Sequence, residues 1–225
     1  MAAAAKRIEI DVGAQGRVSG LLLAPAKPRA AYVLAHGAGA GMEHAFMRAA
    51  AEGLAERGVA TLRYQFPYME RGSKRPDSPA VAQAAVRAAC ASAAELLRGV
   101  PLFAGGKSFG GRMTSQAQAA APLDGVRGLA FLGFPLHAAG QVGDARAKHL
   151  AEVAVRMLFL QGTRDALADA ALMRALIERL GSRATLAFLE GADHSFHVAA
   201  KSGRDDGQVL GEALDKLAQW LVDNR

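Results

Sequence analysis

The chain has 225 residues, of which 51% are apolar and 21% are charged, with a formal net charge of +6 at pH 7. This composition excludes a disordered chain, and no apolar run approaches the roughly 18 residues that a membrane span needs. The single cysteine, Cys90, excludes a disulfide framework and a metal cage of thiolates. The length predicts one enzyme-sized domain over residues 1–225, and we expect it in the cytoplasm.

The pattern of residues 7–23 predicts a β-hairpin. Residues 7–12 alternate polar and apolar side chains, residues 13–16 are typical of a turn, and residues 18–23 form a second strand-like run. This pattern favours two antiparallel strands at the edge of a sheet. The preceding residues 1–7 lack the apolar stretch of a secretory signal, and we expect a frayed terminus there.

From residue 31 onwards, short apolar runs alternate with stretches of helical periodicity. This alternation predicts the α/β class, with a mostly parallel central sheet, helices on both faces and functional loops at the carboxyl ends of the strands. The predicted strands are residues 31–35, 59–64, 102–104, 126–132, 155–160 and 185–189, and the predicted helices are residues 45–57, 80–98, 112–121, 168–180 and 207–222. Loops are predicted at residues 65–79, 105–111, 133–154 and 191–199.

The basic residues are scattered along the chain. Their densest group, Arg71, Lys74 and Arg75, stands beside Asp77 in a predicted loop. Phosphate binding needs a concentrated basic surface, so this distribution favours a solvated loop over an anion site. No nucleic-acid or membrane partner is expected.

Two glycine-rich loops suggest nucleotide sites, but their spacing does not support them. The Gly-Lys-Ser run ending at Ser108 would need a glycine five positions before its own glycine to form a P-loop, and Pro101 stands there. A dinucleotide-binding turn starting at Gly37 would need its third glycine where Met42 stands.

A different motif fits the loop that contains Ser108. The stretch from Gly106 to Gly110 is G-x-S-x-G between a predicted strand and a predicted helix. Such a turn holds its central serine in a strained conformation with the hydroxyl exposed above the sheet. We therefore predict that Ser108 is a nucleophile. A plain glycine turn is the alternative in a chain that holds 25 glycines.

A serine hydroxyl needs a base to become a good nucleophile. Among the six histidines, His194 follows the last predicted strand and therefore lies at the same end of the sheet as Ser108. We predict His194 as the base and keep His197 as the alternative.

The base in turn needs a carboxylate that fixes its tautomer. Asp165 directly follows the strand at residues 155–160, which places it near His194. Asp193 is adjacent to His194 in sequence, a poor geometry for side chains that must face each other, and Asp169 is expected to begin a helix. The order serine, aspartate, histidine is that of α/β-hydrolases.

Two main-chain amides are expected to hold a developing oxyanion. They belong to Phe109, at the amino end of a helix, and to Ala38, in the loop after the first buried strand. His36, which precedes that loop, is expected to brace it by hydrogen bonding.

With these residues in place, the chain resembles the α/β-hydrolase superfamily over nearly its whole length. It looks most like the small lidless group near the dienelactone hydrolases. In particular, it is similar to bacterial predicted α/β hydrolases related to eukaryotic testis-expressed and chromatin-complex-subunit hydrolase-like proteins. The resembling segments are residues 36–42, 63–70, 105–112, 134–137, 161–165 and 191–196. The resemblance implies the fold and the triad of Ser108, Asp165 and His194, but no particular substrate.

Two departures from the group stand out. Ala166 follows Asp165 where the group often has proline, which loosens the loop but leaves the carboxylate. Serine occupies the nucleophile position where dienelactone hydrolases carry cysteine, which favours ordinary ester chemistry.

Lid insertions in this superfamily follow the strand at residues 126–132, and the connection at residues 133–154 is too short for a large cap. We therefore expect an open site. The predicted pocket walls, for which core packing is the alternative, are His36, Gly37, Phe66, Tyr68, Lys107, Pro135 and Leu136. Lys107 is expected either to attract an anionic substrate or to form an internal salt bridge.

The sequence thus predicts a serine hydrolase that cleaves a small acyl ester or thioester and needs neither a metal nor an organic cofactor. Two alternatives remain open. One is a non-catalytic binding or scaffold module on the same fold. The other is a cofactor-free lyase or perhydrolase that uses the same triad. The oligomeric state is left undetermined.

Overall fold

An eight-stranded sheet forms the centre of the protein, whose computed structural model describes residues 4–225. Its strand order is β1-β2-β4-β3-β5-β6-β7-β8, with β2 antiparallel to both of its neighbours, β1 and β4, and all other neighbours parallel. The strands are β1 (Lys6–Asp11), β2 (Arg17–Leu23), β3 (Ala30–Ala35), β4 (Val59–Tyr64), β5 (Leu102–Lys107), β6 (Val126–Leu132), β7 (Arg156–Gly162) and β8 (Ala184–Leu189). The predicted fold class is confirmed, including the antiparallel hairpin at one edge.

The hairpin begins earlier than the sequence suggested. Lys6 pairs with Leu22 and Arg7 pairs with Leu21 in the β1–β2 ladder. The predicted fraying is therefore wrong for Lys6 and Arg7, because their backbones belong to a sheet. Residues 1–3 lie outside the described part of the chain, and fraying there stays a prediction.

Helices cover both faces of the sheet. They are α1 (Ala45–Glu56), α2 (Pro67–Glu70), α3 (Pro79–Leu96), α4 (Phe109–Ala120), α5 (Ala170–Leu180) and α6 (Asp206–Asp223). Buried side chains of α1 and α6 belong to one hydrophobic cluster, and those of α3, α4 and α5 belong to another. All six residues of β3 are buried, as expected for a parallel strand covered on both faces. Across residues 4–225, every helix is too short or too polar to cross a bilayer.

The strand before the glycine-rich turn is longer than predicted. Residues 105–111 were expected to form a loop, but β5 continues through Gly105 and Gly106, and α4 begins at Phe109. The absence of Cβ atoms makes this possible. A Cβ on Gly105 would lie 2.7 Å from the Tyr32 hydroxyl oxygen, and one on Gly106 would lie 2.9 Å from the Ala35 carbonyl carbon. The two glycines therefore allow close backbone packing within the sheet.

The two longest predicted loops also contain short helices. Residues 65–79 include α2, which begins at Pro67, a residue whose fixed φ suits the first helical position. Residues 133–154 include a 3₁₀ segment, Ala145–Glu152, that packs against α4. This connection forms no cap, and the expectation of a lidless fold is confirmed.

Candidate active site

Ser108 alone forms the turn between β5 and α4. Its φ of 49° and ψ of −112° are sparsely populated for any residue but glycine, and such a conformation costs about 1–3 kcal/mol. Gly110 gives this turn room, since a Cβ there would lie 2.5 Å from the Ala35 carbonyl oxygen. The surrounding packing thus holds a serine in a strained position at the carboxyl end of the sheet.

A hydrogen-bonded chain links Ser108 to His194 and Asp165. The His194 Nε2 lies 2.8 Å from the Ser108 Oγ, and its Nδ1 lies 2.7 Å from the Asp165 Oδ2. The Asp165 side chain is fully buried and also accepts from the Leu167 amide at 2.8 Å and from the Gln161 side chain. With Nδ1 protonated against the carboxylate, Nε2 is left to accept the hydroxyl proton.

The alternative candidates are engaged elsewhere. His197 lies on the surface, where its Nδ1 is 2.9 Å from Asp206, and this contact raises the pKa of His197. Asp193 accepts from the Ser195 and His197 amides and shapes the loop after β8, residues 190–199, which is called the histidine loop below. Asp169 caps α5 by accepting from the Ala171 and Leu172 amides. These contacts leave Asp165 as the carboxylate beside His194.

The two amides predicted for an oxyanion are free of protein acceptors. Within residues 4–225, neither the Ala38 nor the Phe109 main-chain N–H donates a hydrogen bond to another protein atom. The loop that carries Ala38 is fixed by the Gly39 amide, which donates to the Tyr68 hydroxyl at 3.0 Å, and by the Met42 amide, which donates to Gln65 at 2.9 Å. Both amides are therefore available to donate to a ligand oxygen, and the two hydrogen bonds hold the backbone that carries Ala38 in place.

His36 is buried beneath the same loop. Its Nδ1 lies 2.8 Å from the Gly37 oxygen, and its Nε2 accepts from the Phe66 amide at 3.2 Å. Burial lowers the pKa of His36 to about 4, so the ring is neutral at pH 7 and its Nδ1 donates. His36 therefore ties the loop after β3 to the segment after β4.

A family model described as an alpha/beta hydrolase domain matches residues 28–222. The chain belongs to this hydrolase family. The prediction of an α/β-hydrolase is thereby confirmed, and the protein is a hydrolase. The finer relation to chromatin-complex subunits stays a prediction.

Solved structures share the fold of this hydrolase across its length. A lidless a/b serine hydrolase from Xanthomonas campestris is 21% identical, with 97% of this chain and 95% of that chain covered and a TM-score of 0.75. A dienelactone hydrolase from Anabaena variabilis is 20% identical over 100% and 97% of the two chains, with a TM-score of 0.74. The esterase domain of a Rhodothermus marinus protein is 17% identical over 97% and 99%, with a TM-score of 0.69.

A cavity of about 370 Å³ opens beside Ser108 in this hydrolase. Its lining is largely apolar and comes from the start of α1, the end of β5 and three loops. These are the loop after β3 (residues 36–44, the oxyanion loop), the loop after β7 (residues 163–169, the acid loop) and the histidine loop. The lining residues are Gly37, Ala38, Ala40, His44, Phe46, Met47, Lys107, Ser108, Leu167, His194 and Ser195. Such a volume accommodates a small ligand.

The predicted pocket walls agree only in part with this lining. Gly37 and Lys107 belong to it. The prediction is wrong for the other five, which are buried and pack inside the protein: His36, Phe66, Tyr68, Pro135 and Leu136. Phe66 and Tyr68, for example, contact the Phe109 ring with centroid distances of 5.3 and 6.4 Å.

Sequence reasoning missed the contribution of α1 to the cavity. Phe46 and Met47 stand in the first turn of this helix, directly after the glycine-rich loop. That position was the available signal, because a helix that follows an oxyanion loop begins at the site itself.

Of the two alternatives for Lys107, the internal salt bridge is not formed among the described residues. No carboxylate lies within ion-pair distance of its Nζ in residues 4–225. The ammonium instead donates to the main-chain oxygen of His194. Lys107 therefore contacts the histidine loop through backbone and not through charge pairing.

A second serine–histidine contact lies outside the cavity. The Ser115 Oγ is 2.8 Å from the His149 Nε2 and 2.9 Å from the Arg112 main-chain oxygen. Ser115 is completely buried, and burial together with the nearby Arg112 guanidinium lowers the pKa of His149 to about 4. This contact fastens α4 to the 3₁₀ segment, and its serine has no access to substrate.

Proposed function

We propose that this hydrolase is a serine hydrolase that cleaves a small acyl ester or thioester through Ser108, His194 and Asp165. The observation that carries the proposal is the hydrogen-bonded chain from a strained serine hydroxyl to a buried carboxylate. In this arrangement, each group has the neighbour that nucleophilic catalysis requires.

In the proposed first half-reaction, the Ser108 Oγ attacks the acyl carbon while its proton moves to the His194 Nε2. The carbonyl oxygen becomes an oxyanion between the Ala38 and Phe109 amides. Collapse breaks the bond to the alcohol or thiol, which leaves with the proton from His194, and the acyl group remains on Ser108. Asp165 stabilises the imidazolium throughout without itself taking the proton.

In the second half-reaction, a water molecule gives a proton to His194 and attacks the acyl-enzyme. A second oxyanion forms between the same amides, and its collapse releases the carboxylic acid while His194 returns the proton to Ser108. Water reaches the acyl group because the site is open, in keeping with a fold without a cap.

The size of the proposed acyl group follows from the cavity. A volume of about 370 Å³ lined by Phe46, Met47 and Leu167 suits a short aliphatic chain. The cavity proposed for the acyl group is compatible with both alcohol and thiol leaving groups. We keep the cytoplasm as the proposed location, since Cys90 is a lone, buried cysteine.

Fluorophosphonate labelling and hydrolysis of p-nitrophenyl acyl esters test this proposal. Wild-type protein should label and turn over, and Ser108→Ala should abolish labelling and lower kcat by a factor on the order of 10⁶. Ser115→Ala is the matched control, because it removes the hydroxyl of the other histidine-bonded serine and should label normally. Wild-type protein that neither labels nor hydrolyses any ester or thioester would overturn the proposal. Product analysis separates hydrolysis from lyase or perhydrolase chemistry.

A further inference from the structure

Lys107 stands between Gly106 and Ser108 in the chain, and its side chain contacts the histidine loop. Its Nζ donates to the main-chain oxygen of His194, the residue whose ring contacts Ser108. The last residue of β5 is therefore bonded to the loop after β8, which is 87 positions away in the chain. The conformation of the Ser108 turn does not require a side chain of this kind, so the lysine calls for a separate explanation.

Two aromatic rings flank the same ammonium. The Nζ lies 5.0 Å from the ring centroid of Phe196, in the histidine loop, and 5.6 Å from that of Phe46, in the first turn of α1. Both distances are in the range of cation–π attraction. The two rings also contact each other, with centroids 5.8 Å apart. The ammonium thus binds the histidine loop at two places and α1 at a third.

Two glycines show how closely the lysine is enclosed. A Cβ on Gly133, just after β6, would lie 2.7 Å from the Lys107 Nζ and 3.6 Å from the His194 Cε1. A Cβ on Gly37, in the oxyanion loop, would lie 3.7 Å from the Lys107 Cγ. The side chain therefore fills the space between the oxyanion loop, the histidine loop and the end of β6.

The histidine loop needs such support because its backbone is strained. Phe196 has a φ of 67°, and Ser108 is the other non-glycine residue with positive φ in residues 4–225. A strained residue keeps its conformation only where its surroundings impose it. Lys107 contacts the ring of the strained Phe196 and precedes the strained Ser108 in the chain, so one side chain restrains both segments.

The charge of Lys107 is neither paired nor fully hydrated. Burial lowers its pKa to about 8, and the carboxylates of Asp165 and Asp193 oppose this change without forming an ion pair. An apolar side chain would fill the same space without the cost of burying an ammonium. The hydrogen bond to His194 and the two rings are what a lysine adds.

We propose that Lys107 is a positioning residue that holds the His194 ring in register with Ser108 by fastening the backbone of the histidine loop. The inference rests on the proposed function, because it assigns a role in the reaction at Ser108. Lys107 acts through His194 and does not need to touch the substrate.

Steady-state kinetics of Lys107→Met test the inference, since methionine keeps much of the stem and removes the donor and the charge. A displacement of about 1 Å in a catalytic group costs about 100-fold, so we expect kcat to fall by about that factor with KM changed less than threefold. Loss of the nearby positive charge also favours the imidazolium, with the carboxylates of Asp165 and Asp193 still in place. The acidic limb of the kcat profile should therefore move to higher pH. Lys107→Arg keeps the charge and the donors, and its kcat should be at least tenfold higher than that of Lys107→Met.

Lys27→Met is the matched control, because Lys27 is exposed and lies just before the amino end of β3, away from the carboxyl ends of the strands where the site lies. It should leave kcat and the pH profile unchanged. If Lys107→Met also retained wild-type kcat and pH profile, the inference would be wrong while the proposed function stood. A wild-type protein without labelling or turnover would instead overturn the proposed function first.

Lys107→Cys provides a second route in case the methionine variant does not fold. Alkylation of this cysteine with bromoethylamine rebuilds an ammonium on a thioether stem, and the native Cys90 is buried with a pKa raised to about 12. We expect the alkylated protein to have at least tenfold higher kcat than the unmodified variant. Equal kcat before and after complete alkylation would contradict the inference.

Discussion

Gly106 packs directly against Ala35 on the neighbouring strand, so closely that a Cβ on Gly106 would lie 2.9 Å from the Ala35 carbonyl carbon and nearer still to its oxygen. The two residues are paired in the β3–β5 ladder, at the carboxyl end of the sheet from which both the oxyanion loop and the Ser108 turn emerge. This contact fixes the distance between the two loops.

Substitution of Gly106 should therefore destabilise the fold strongly. Overpacking typically costs about 1–3 kcal/mol, and the positive φ of 150° adds strain of similar size, so Gly106→Ala should lose several kcal/mol of unfolding free energy or fail to fold. Gly99→Ala is the control, because Gly99 also has positive φ but open space around it. Chemical denaturation measures both variants. Equal losses for the two would show that backbone strain, and not the contact with Ala35, dominates.

The carboxylate of Asp165 should be essential for activity although it lies away from the substrate cavity. Asp165→Asn keeps the shape but lets Nδ1 of His194 adopt the wrong tautomer, and kcat should fall by a factor on the order of 10⁴. Asp206→Asn removes the carboxylate beside the other histidine of the region, His197, and should retain wild-type kcat. A loss in the Asp206 variant comparable to that in the Asp165 variant would point to His197 as the base.

Acid should destabilise the protein through its buried histidines. The pKa values of His36 and His149 are lowered to about 4, while unfolded histidine has a pKa of about 6.5. Between these values the unfolded chain binds more protons than the folded one, so the unfolding free energy falls as the pH drops from about 6.5 to about 4. Urea denaturation across this window measures the slope.

A neutral replacement isolates the share of His36 in that slope. His36→Gln offers a donor and an acceptor without a titratable ring, so its stability should depend less steeply on pH over the same window, whatever its stability at pH 7. An unchanged slope in His36→Gln would contradict the assignment.

The acyl chain that the cavity accepts should depend on Leu167. This side chain lines the cavity, while the structural contacts of the residue use its backbone, which donates to Asp165 and accepts from Leu136 and His137. Leu167→Ala should therefore enlarge the cavity and leave the acid loop in place. We expect the ratio of kcat/KM for octanoyl over acetyl p-nitrophenyl esters to rise about tenfold, as pocket methylenes discriminate to that extent.

Leu96→Ala is the control for this prediction. Leu96 is an exposed leucine at the end of α3, and its truncation should leave the chain-length profile unchanged. A Leu167 variant with the wild-type profile would mean that the acyl group lies elsewhere in the cavity.

The sequence alone predicted the fold class because its periodicity is local. Buried parallel strands such as β3 are continuous apolar runs, and helices such as α6 repeat their apolar residues along one face. The same local rules misplaced the end of β5. Glycine is normally a sign of a turn, and the sequence does not show that Ala35 and Ala130 leave no room for side chains at residues 105 and 106.

The candidate site was predictable where it depends on strand ends. Ser108, Asp165 and His194 each follow a strand of the parallel sheet, and the carboxyl ends of such strands share one edge. The pocket walls were not predictable in this way. Phe66 also follows a strand end, yet its ring is buried away from the cavity, and the tertiary packing that decides this leaves no pattern in the sequence.

The three linked side chains lie just after β5, β7 and β8, and this separation along the chain also bears on how the protein folds. Ser108 and His194 are 86 positions apart, and the histidine loop follows the last strand of the sheet. Contacts of such long range form late, after the entropy of closing the intervening chain has been lost. Reactivity of Ser108 towards a fluorophosphonate during refolding should therefore lag behind the recovery of helical circular dichroism, and it would time the docking of the final strand.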